Sequence, residues 1–353
     1  MTLHRLLFVH SVTFVLFLTL LNTSLAFSIK NPVEHLLENL LNRGAASTKE
    51  ASPPSAEQGK ALLNKLDIQS NTEPRPFNAE LSQLPALLTA SMPAVFRLGT
   101  GVFCNGYQVS IVPKNENRYT MAKLFAKYQL LESSGVTPQL RQKEPLILYE
   151  FETCPDCRKV REAVSILSLE VTFRPCPQKG SQFRRGIETK YGKADASFPF
   201  LMDPNTNAQI FQSDAILEYL FQTYGNGNIP RTLEPKSSLV TASEAAGLLF
   251  RGSSGGIAKP SKPPPKPLKV WSYEGSPFCK LVKEKLSELE IEHTQISCPR
   301  GSANRQALFD SEGRFQVPYL KDPNTGVSLF ESQAICEYLE KQYGVAKSPV
   351  KYL

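Results

Sequence analysis

Two cysteines three positions apart, Cys154 and Cys157, stand in "YEFETCPDCRKVREAV" (149–164), just after a short apolar run. Three chemistries use that spacing: thiol–disulfide exchange, half of a zinc site, or no reaction at all in a pair of packed thiols. A second stretch, "WSYEGSPFCKLVKEKL" (271–286), repeats the frame with Ser276 in place of Cys154 and retains Cys279. A thiol attacks as thiolate, and unpaired N–H groups at a helix N-terminus stabilise that anion. Cys154 sits just ahead of an expected helix and is placed as the nucleophile, with Cys157 one turn inward to resolve a mixed disulfide. Arg158, Lys159 and Arg161 are expected to add positive potential there, with Asp156 opposing them. Zinc takes four ligands. Cys154, Cys157 and Cys176 supply three, and His293 is the sole histidine beyond residue 35, so no metal is expected.

The rest of the composition narrows the field. The chain has 353 residues, a formal charge of +7 and seven cysteines, too sparse for a disulfide scaffold. Its basic residues are scattered rather than interleaved with aromatics, which argues against a nucleic-acid surface. Four histidines leave no Ser-His-Asp arrangement, and Gly101 and Gly106 lead into Tyr107-Gln108 rather than the Lys-Ser/Thr of a nucleotide loop.

A duplication organises the elements of the chain. Cys157 matches Cys279 and Cys176 matches Cys298, both at an offset of 122 (279 − 157; 298 − 176). "FPFLMDPNTN" (198–207) matches "VPYLKDPNTG" (317–326), and "FQSDAILEYLFQTYG" (211–225) matches "FESQAICEYLEKQYG" (330–344). Each copy reads βαβαββα: an apolar strand, a helix opened by Pro155 or Pro277, a strand ending at Cys176 or Cys298, a polar helix, two strands about an Asp-Pro-Asn-Thr turn, and a last helix. Ser213 and Ser332 are expected to cap that last helix. Parallel neighbouring first and second strands bring Cys298 near Cys279, which leaves two readings open: a Cys279–Cys298 disulfide, or two packing thiols.

Residues 6–21 form an apolar run behind Arg5, with small residues suited to cleavage after Ala26. This reads as a signal peptide, because 16 residues fall short of the roughly 20 that span a bilayer. Residues 42–80 show little periodicity and are expected to be disordered. The chain divides into a signal peptide (1–26), a disordered targeting segment (27–80), a leader region with a short helix (81–144), unit one (145–226), a linker with a short helix and a Pro-rich spacer (227–266), unit two (267–345) and a tail (346–353). The leaders "LLTASMPAVFRLGTG" (87–101) and "LVTASEAAGLLFRGSSG" (239–255) resemble one another. Each is expected to pack on its sheet, with contact to a membrane surface as the alternative.

The Cys/Ser-Pro-x-Cys motif, the Pro leading the third strand and the Gln/Glu-Ser before the last helix together resemble the thioredoxin-like fold, in its glutathione transferase N-terminal and glutaredoxin form. The arrangement is also similar to the tandem thioredoxin-like proteins of plant and algal plastids. The resemblance covers about 80 residues twice, and no segment reads as the all-helical second domain of a full transferase. It implies an α/β fold of two tandem domains and glutathione as cofactor. Glutathione would lie against Phe198-Pro199 or Val317-Pro318, with its γ-glutamyl end at Gln212-Ser213 or Glu331-Ser332. Ser276 would either hydrogen-bond a glutathione thiolate or serve only as a helix cap, with Cys279 beside it. The implied activity is thiol–disulfide exchange in unit one, with unit two binding glutathione or a partner. The alternatives are a non-catalytic adaptor and a transferase for small electrophiles. The partners implied are glutathione or a thiol/disulfide protein, with no nucleic acid. A signal peptide followed by Phe27 resembles the two-part plastid address of algae with complex plastids, and the secretory pathway is the alternative location.

Overall fold

The computed structural model describes residues 53–68, 83–124, 127–193, 196–235 and 237–345. In chain order the first elements are α1 (Ala56–Lys65) and α2 (Leu84–Phe96). A small antiparallel sheet follows, made of β1 (Tyr107–Pro113), β2 (Lys123–Leu124) and β3 (Tyr128–Ser134) in the order β1-β3-β2. Unit one runs β4 (Leu146–Glu150), α3 (Pro155–Ile166), β5 (Glu170–Pro175), α4 (Phe183–Tyr191), β6 (Phe200–Asp203), β7 (Ala208–Phe211) and α5 (Ser213–Tyr224). The linker contributes α6 (Ser238–Leu249). Unit two repeats the pattern as β8 (Leu268–Ser272), α7 (Pro277–Glu288), β9 (His293–Ser297), α8 (Asn304–Glu312), β10 (Tyr319–Lys321), β11 (Ser328–Phe330) and α9 (Ser332–Tyr343).

In unit one β4 pairs in parallel with β5 and antiparallel with β6, which pairs antiparallel with β7. Unit two has the same pattern through β8, β9, β10 and β11. The second strand of each unit would be an open edge, with unpaired backbone groups ready to recruit another strand. Here the two edges close on each other: β5 pairs antiparallel with β9. The result is one eight-stranded sheet in the order β11-β10-β8-β9-β5-β4-β6-β7. Thr172 faces Thr294 across the seam, their hydroxyls 2.9 Å apart. These two residues are equivalent in the repeat (294 − 172 = 122), so a local two-fold axis passes between them.

Period-two alternation splits β4 between two cores. Leu146 and Leu148 join Val160, Ala163 and Val164 of α3 and Ile216, Leu217, Leu220 and Phe221 of α5. Tyr149 enters a second cluster with Cys176, Ile187 of α4 and Phe200. Each such large side chain removed from water contributes about 1.5–3 kcal/mol. The repeated Asp-Pro-Asn-Thr turn has a mechanical reason. Asp203 accepts from Asn205 at 2.7 Å (backbone N–H) and 2.9 Å (side-chain amide), and from the hydroxyls of Tyr219 and Tyr224 on α5 at 2.5 and 2.6 Å. Asp322 accepts in the same way from Asn324, Tyr338 and Tyr343. One carboxylate thus fixes the β-turn and anchors the last helix to it.

Four features depart from the sequence expectations, the last being the placement of the leaders. Residues 56–65, inside the stretch expected to be disordered, form a helix; residues 27–52 and 69–80 lie outside the described ones, as does the signal peptide. Ser55 and Gln58 make a capping box, and Leu63 buries itself among Leu268, Val282 and Tyr343 of unit two, which a periodicity search dominated by polar residues does not register. Ser213 and Ser332 are the first helical residues rather than caps: Gln212 and Glu331 occupy the cap positions, both at φ 71°, and neither side chain caps. Cys279 and Cys298 are free thiols, as is every other described cysteine, so the disulfide reading is not realised.

The leaders, each expected to pack on its own sheet, instead cross over and pack on helices of the opposite unit. α2 packs on α6 and on α7 of unit two, while α6 packs on α3 of unit one. After α6 the chain runs along unit one, where Gln178 N–H donates to Gly256 O at 2.7 Å. After α2 it runs along unit two, where Cys104 N–H donates to Arg300 O at 2.9 Å. Each unit is therefore clamped by its partner's leader. Gly101 and Gly255 make the crossing at φ 88° and 75°. A Cβ on Gly255 would sit 2.6 Å from Glu152 Cβ, so both the conformation and the close approach need glycine there.

Candidate functional site

In unit one the strand β4 delivers the chain to Cys154, the N-cap of α3, with Pro155 as the first helical residue. Proline lacks the N–H that would go unpaired at this position, and its fixed φ suits the first turn. The Cys157 N–H donates to Cys154 Sγ at 3.1 Å, so the helix cap is a sulfur atom. The Cys154 thiol donates to Phe198 O at 3.8 Å. The Phe198–Pro199 bond is cis, as is Val317–Pro318 in unit two. Cys154 retains 7% of its surface exposed and Cys157 none. Burial, followed by the neighbouring Cys154 sulfur, pushes the Cys157 thiol well above its ordinary range. The two sulfurs thus differ in kind: one sits at the helix mouth beside the cis-proline loop, the other is a neutral thiol inside.

The rim is built by aromatic and charged groups. Phe151 and Phe198 meet edge to face with centroids 6.3 Å apart. The Arg184 guanidinium lies over both rings, 5.2 and 4.6 Å from their centroids, and donates to Cys176 O and Pro177 O. On the other side the Ser213 hydroxyl donates to Asp156 at 3.0 Å. Lys159 bridges Asp156 and Asp214 at 3.2 and 3.1 Å. Gln212 is exposed and Ser213 buried. Gln212 and Glu331 both hold a left-handed backbone without being glycine, a strain of about 1–3 kcal/mol that structures keep where geometry is functional.

Unit two has the same geometry and a different chemistry. Ser276 is the N-cap of α7 and accepts from Cys279 N–H at 3.3 Å. Both are buried, and burial raises the Cys279 thiol. Cys298 and Cys176 are likewise raised by burial. Gln316 donates to Glu331 at 2.6 Å in front of the cis Val317–Pro318 bond. Among the described residues, this unit also carries a cover with no counterpart in unit one. The Tyr119 ring, from the loop between β1 and β2, lies against Phe315 at 4.8 Å, and Arg305 donates to its hydroxyl at 2.7 Å. Arg305 also lies over Tyr273, the counterpart of Phe151.

The sequence brought Cys154, Cys157, Phe198, Pro199, Gln212 and Ser213 forward, and the fold gathers them at one end of unit one. Ser276, Cys279, Val317, Pro318, Glu331 and Ser332 gather correspondingly in unit two. The cations beside Cys154 are a correction. Arg158 and Arg161 are fully buried and committed to carboxylates, Arg158 to Glu162 and Glu244 and Arg161 to Glu150 and Glu274, so they do not project positive potential onto the thiol. Arg161 joins Glu150, Glu152 and Glu274, while Lys280 and Lys283 of α7 reach back to Glu152 and Glu274. Burial raises the Glu152 and Glu274 carboxyls, but Arg161, Lys280 and Lys283 outweigh it and hold both below the ordinary carboxylate range. Arg97 pairs with Glu162 at 2.7 Å, and Arg251 pairs with Glu284 in the same manner. The signal for this network was present in the repeat: Glu152, Arg158, Arg161 and Glu162 recur as Glu274, Lys280, Lys283 and Glu284 at the offset of 122. Among the described residues no cluster of His, Cys, Asp and Glu is arranged to hold a metal ion. No helix among them is long and apolar enough to cross a membrane.

Residues 148–228 and 271–348 each match the family model described as glutathione S-transferase, N-terminal domain. No curated protein and no solved structure matches the chain. Both units thus carry the α/β, thioredoxin-like fold of that domain.

Proposed function

We propose that unit one is a glutathione-linked thiol–disulfide oxidoreductase and that unit two is a binding or scaffolding copy. The observation that carries this reading is the Cys157 N–H directed at Cys154 Sγ at 3.1 Å, on a helix N-terminus beside the cis Phe198–Pro199 bond. Such a site stabilises a thiolate and presents it to an extended substrate. The Cys154 thiolate attacks one sulfur of a disulfide, the S–S bond breaks, and the leaving sulfur departs as a thiolate that takes a proton from solvent. Cys157 then loses its proton and attacks Cys154 Sγ in the mixed disulfide, releasing the second thiol and leaving a Cys154–Cys157 disulfide. The substrate has gained two electrons and two protons. Two glutathione thiols return the dithiol form and become glutathione disulfide. The buried, raised Cys157 thiol suits the second step, since it stays protonated until the mixed disulfide forms beside it.

A second reading, the non-catalytic adaptor, is favoured in unit two by Ser276 at the nucleophile position and by Tyr119 over Phe315 and Arg305. For location, we propose the plastid, on the strength of the N-terminal address. Iodoacetamide trapping followed by peptide mapping tests the catalytic reading. Cys154 is expected to be alkylated ahead of the other cysteines, and Cys154→Ser to remove the fast phase. Labelling of Cys154 no faster than that of buried Cys176 would leave unit one without a nucleophile.

A further inference from the structure

The outward face of the two leader helices has no role in the thiol chemistry. Leu84, Leu88 and Val95 fall on one stripe of α2 at i, i+4 and i+11, and Phe96 and Leu98 extend it. Leu249 and Phe250 continue the surface at the end of α6. These seven side chains are between 40% and 78% exposed, whereas Leu87, Ala90 and Pro93 on the opposite side of α2 are buried. The Phe96 and Phe250 rings stack with centroids 5.6 Å apart and planes 20° from parallel. They are equivalent positions of the two leaders, each followed by an arginine turned inward to a buried glutamate. The surface therefore straddles the local two-fold axis. It also carries no charge: α2 contains no charged residue, and Glu244, the one in α6, is fully buried.

We propose that this face binds a second copy of the chain through an isologous, two-fold interface. Seven large apolar side chains, each 40–78% exposed, together present an area on the order of the roughly 800 Å² that each partner contributes to a stable interface. Its make-up, leucine and phenylalanine without charge, is that of a homodimer core. In a two-fold dimer the same patch meets itself, which an apolar, uncharged patch does without like-charge repulsion, and this is the commonest closed assembly. An anionic membrane surface is the poorer fit. Helices that lie in a lipid interface carry lysine and arginine on their polar face, and here the faces away from solvent are packed on α7 and α3.

The test is sedimentation velocity of the full chain, under reducing conditions, from about 1 to 100 µM, the range over which weak and stable dimers separate. Leu88→Glu and Leu249→Glu, at positions 66% and 78% exposed, are run beside it, with circular dichroism and thermal unfolding as fold controls. The wild-type chain is expected to sediment as a dimer, and each variant to remain folded and dissociate at least tenfold more readily. A monomer throughout, or a dimer that both variants leave unchanged, overturns the proposal. So does a full chain that is monomeric while a chain lacking residues 1–52 dimerises, since the N-terminal segment would then be the occupant. Binding of phosphatidylglycerol vesicles by monomeric wild-type chain, lost in Leu88→Glu, would assign the face to lipid instead.

Discussion

At the residue scale, the fold separates two cysteines that the sequence treats as a pair. Cys154 accepts a backbone hydrogen bond at the mouth of α3, whereas Cys157 is sealed behind it. Cys154→Ser is expected to abolish reduction of a glutathionylated peptide. Cys157→Ser is expected to retain monothiol exchange with glutathione while losing reduction of intramolecular protein disulfides. Loss of both activities in Cys157→Ser, with the fold intact, would remove that division of labour. His293 makes a separate prediction. Its ring stacks on Phe173 across the seam at 5.3 Å and its Nδ1 lies 2.9 Å from Ile291 O, and burial lowers its pKa to about 4. The unfolded chain takes up a proton at this residue below about pH 6.5, the folded chain only near 4. The stability it contributes is therefore complete above pH 6.5 and lost as the pH falls towards 4, by roughly 3 kcal/mol. Urea unfolding of wild type and His293→Gln between pH 7 and 4 measures it, and the variant's profile should be flatter by that amount. That Cys154 caps α3 while Cys157 lies inside it was legible from Cys-Pro-Asp-Cys alone. That Arg158 and Arg161 look inward was not, because a helix's buried face is decided by what covers it, and the cover is a leader from elsewhere in the chain.

At the scale of elements, charged residues rather than apolar ones fill much of the space between α3, α7 and the crossed leaders. The repeat announced the strands and helices well, since the offset of 122 aligns β4 with β8, α3 with α7 and β5 with β9. The strand β1 was missed, because the leader region was read for helices and its residues are largely exposed, so no apolar alternation marks it. The buried network predicts a steep penalty for removing a single member. Arg161→Met leaves Glu150, Glu152 and Glu274 with less compensation in a place that water does not reach. A loss of about 3–5 kcal/mol is expected, read by urea unfolding monitored on far-ultraviolet circular dichroism. Lys285→Met, at a half-exposed pair with Glu340, is the contrast, expected to change stability by less than about 1 kcal/mol. Equal effects at the two sites would deny the network its structural part.

At the scale of the whole molecule, two small domains share one sheet. The β5–β9 seam, the exchanged leaders and the inter-unit ion pairs Arg161–Glu274 and Lys280–Glu152 couple the units so closely that they are expected to unfold together. Differential scanning calorimetry should give one transition with matching calorimetric and van't Hoff enthalpies; two separable transitions would show that the seam contributes little. The antiparallel join of β5 and β9 was not legible in the sequence. Both strands read as ordinary second strands of a repeat, and nothing in Thr172 or Thr294 names its partner. The two leaders also meet at equivalent residues, Phe96 and Phe250, so the repeat is arranged as an internal dimer whose two halves differ in chemistry, one carrying Cys154 and the other Ser276.

The most direct test of the central claim is mass spectrometry of the Cys157→Ser chain after incubation with glutathione disulfide. One glutathionyl group is expected on Cys154, removed by free glutathione, and none on the chain that also carries Cys154→Ser. Modification at Cys104 or Cys336 with Cys154 untouched, or no modification at all, would contradict it.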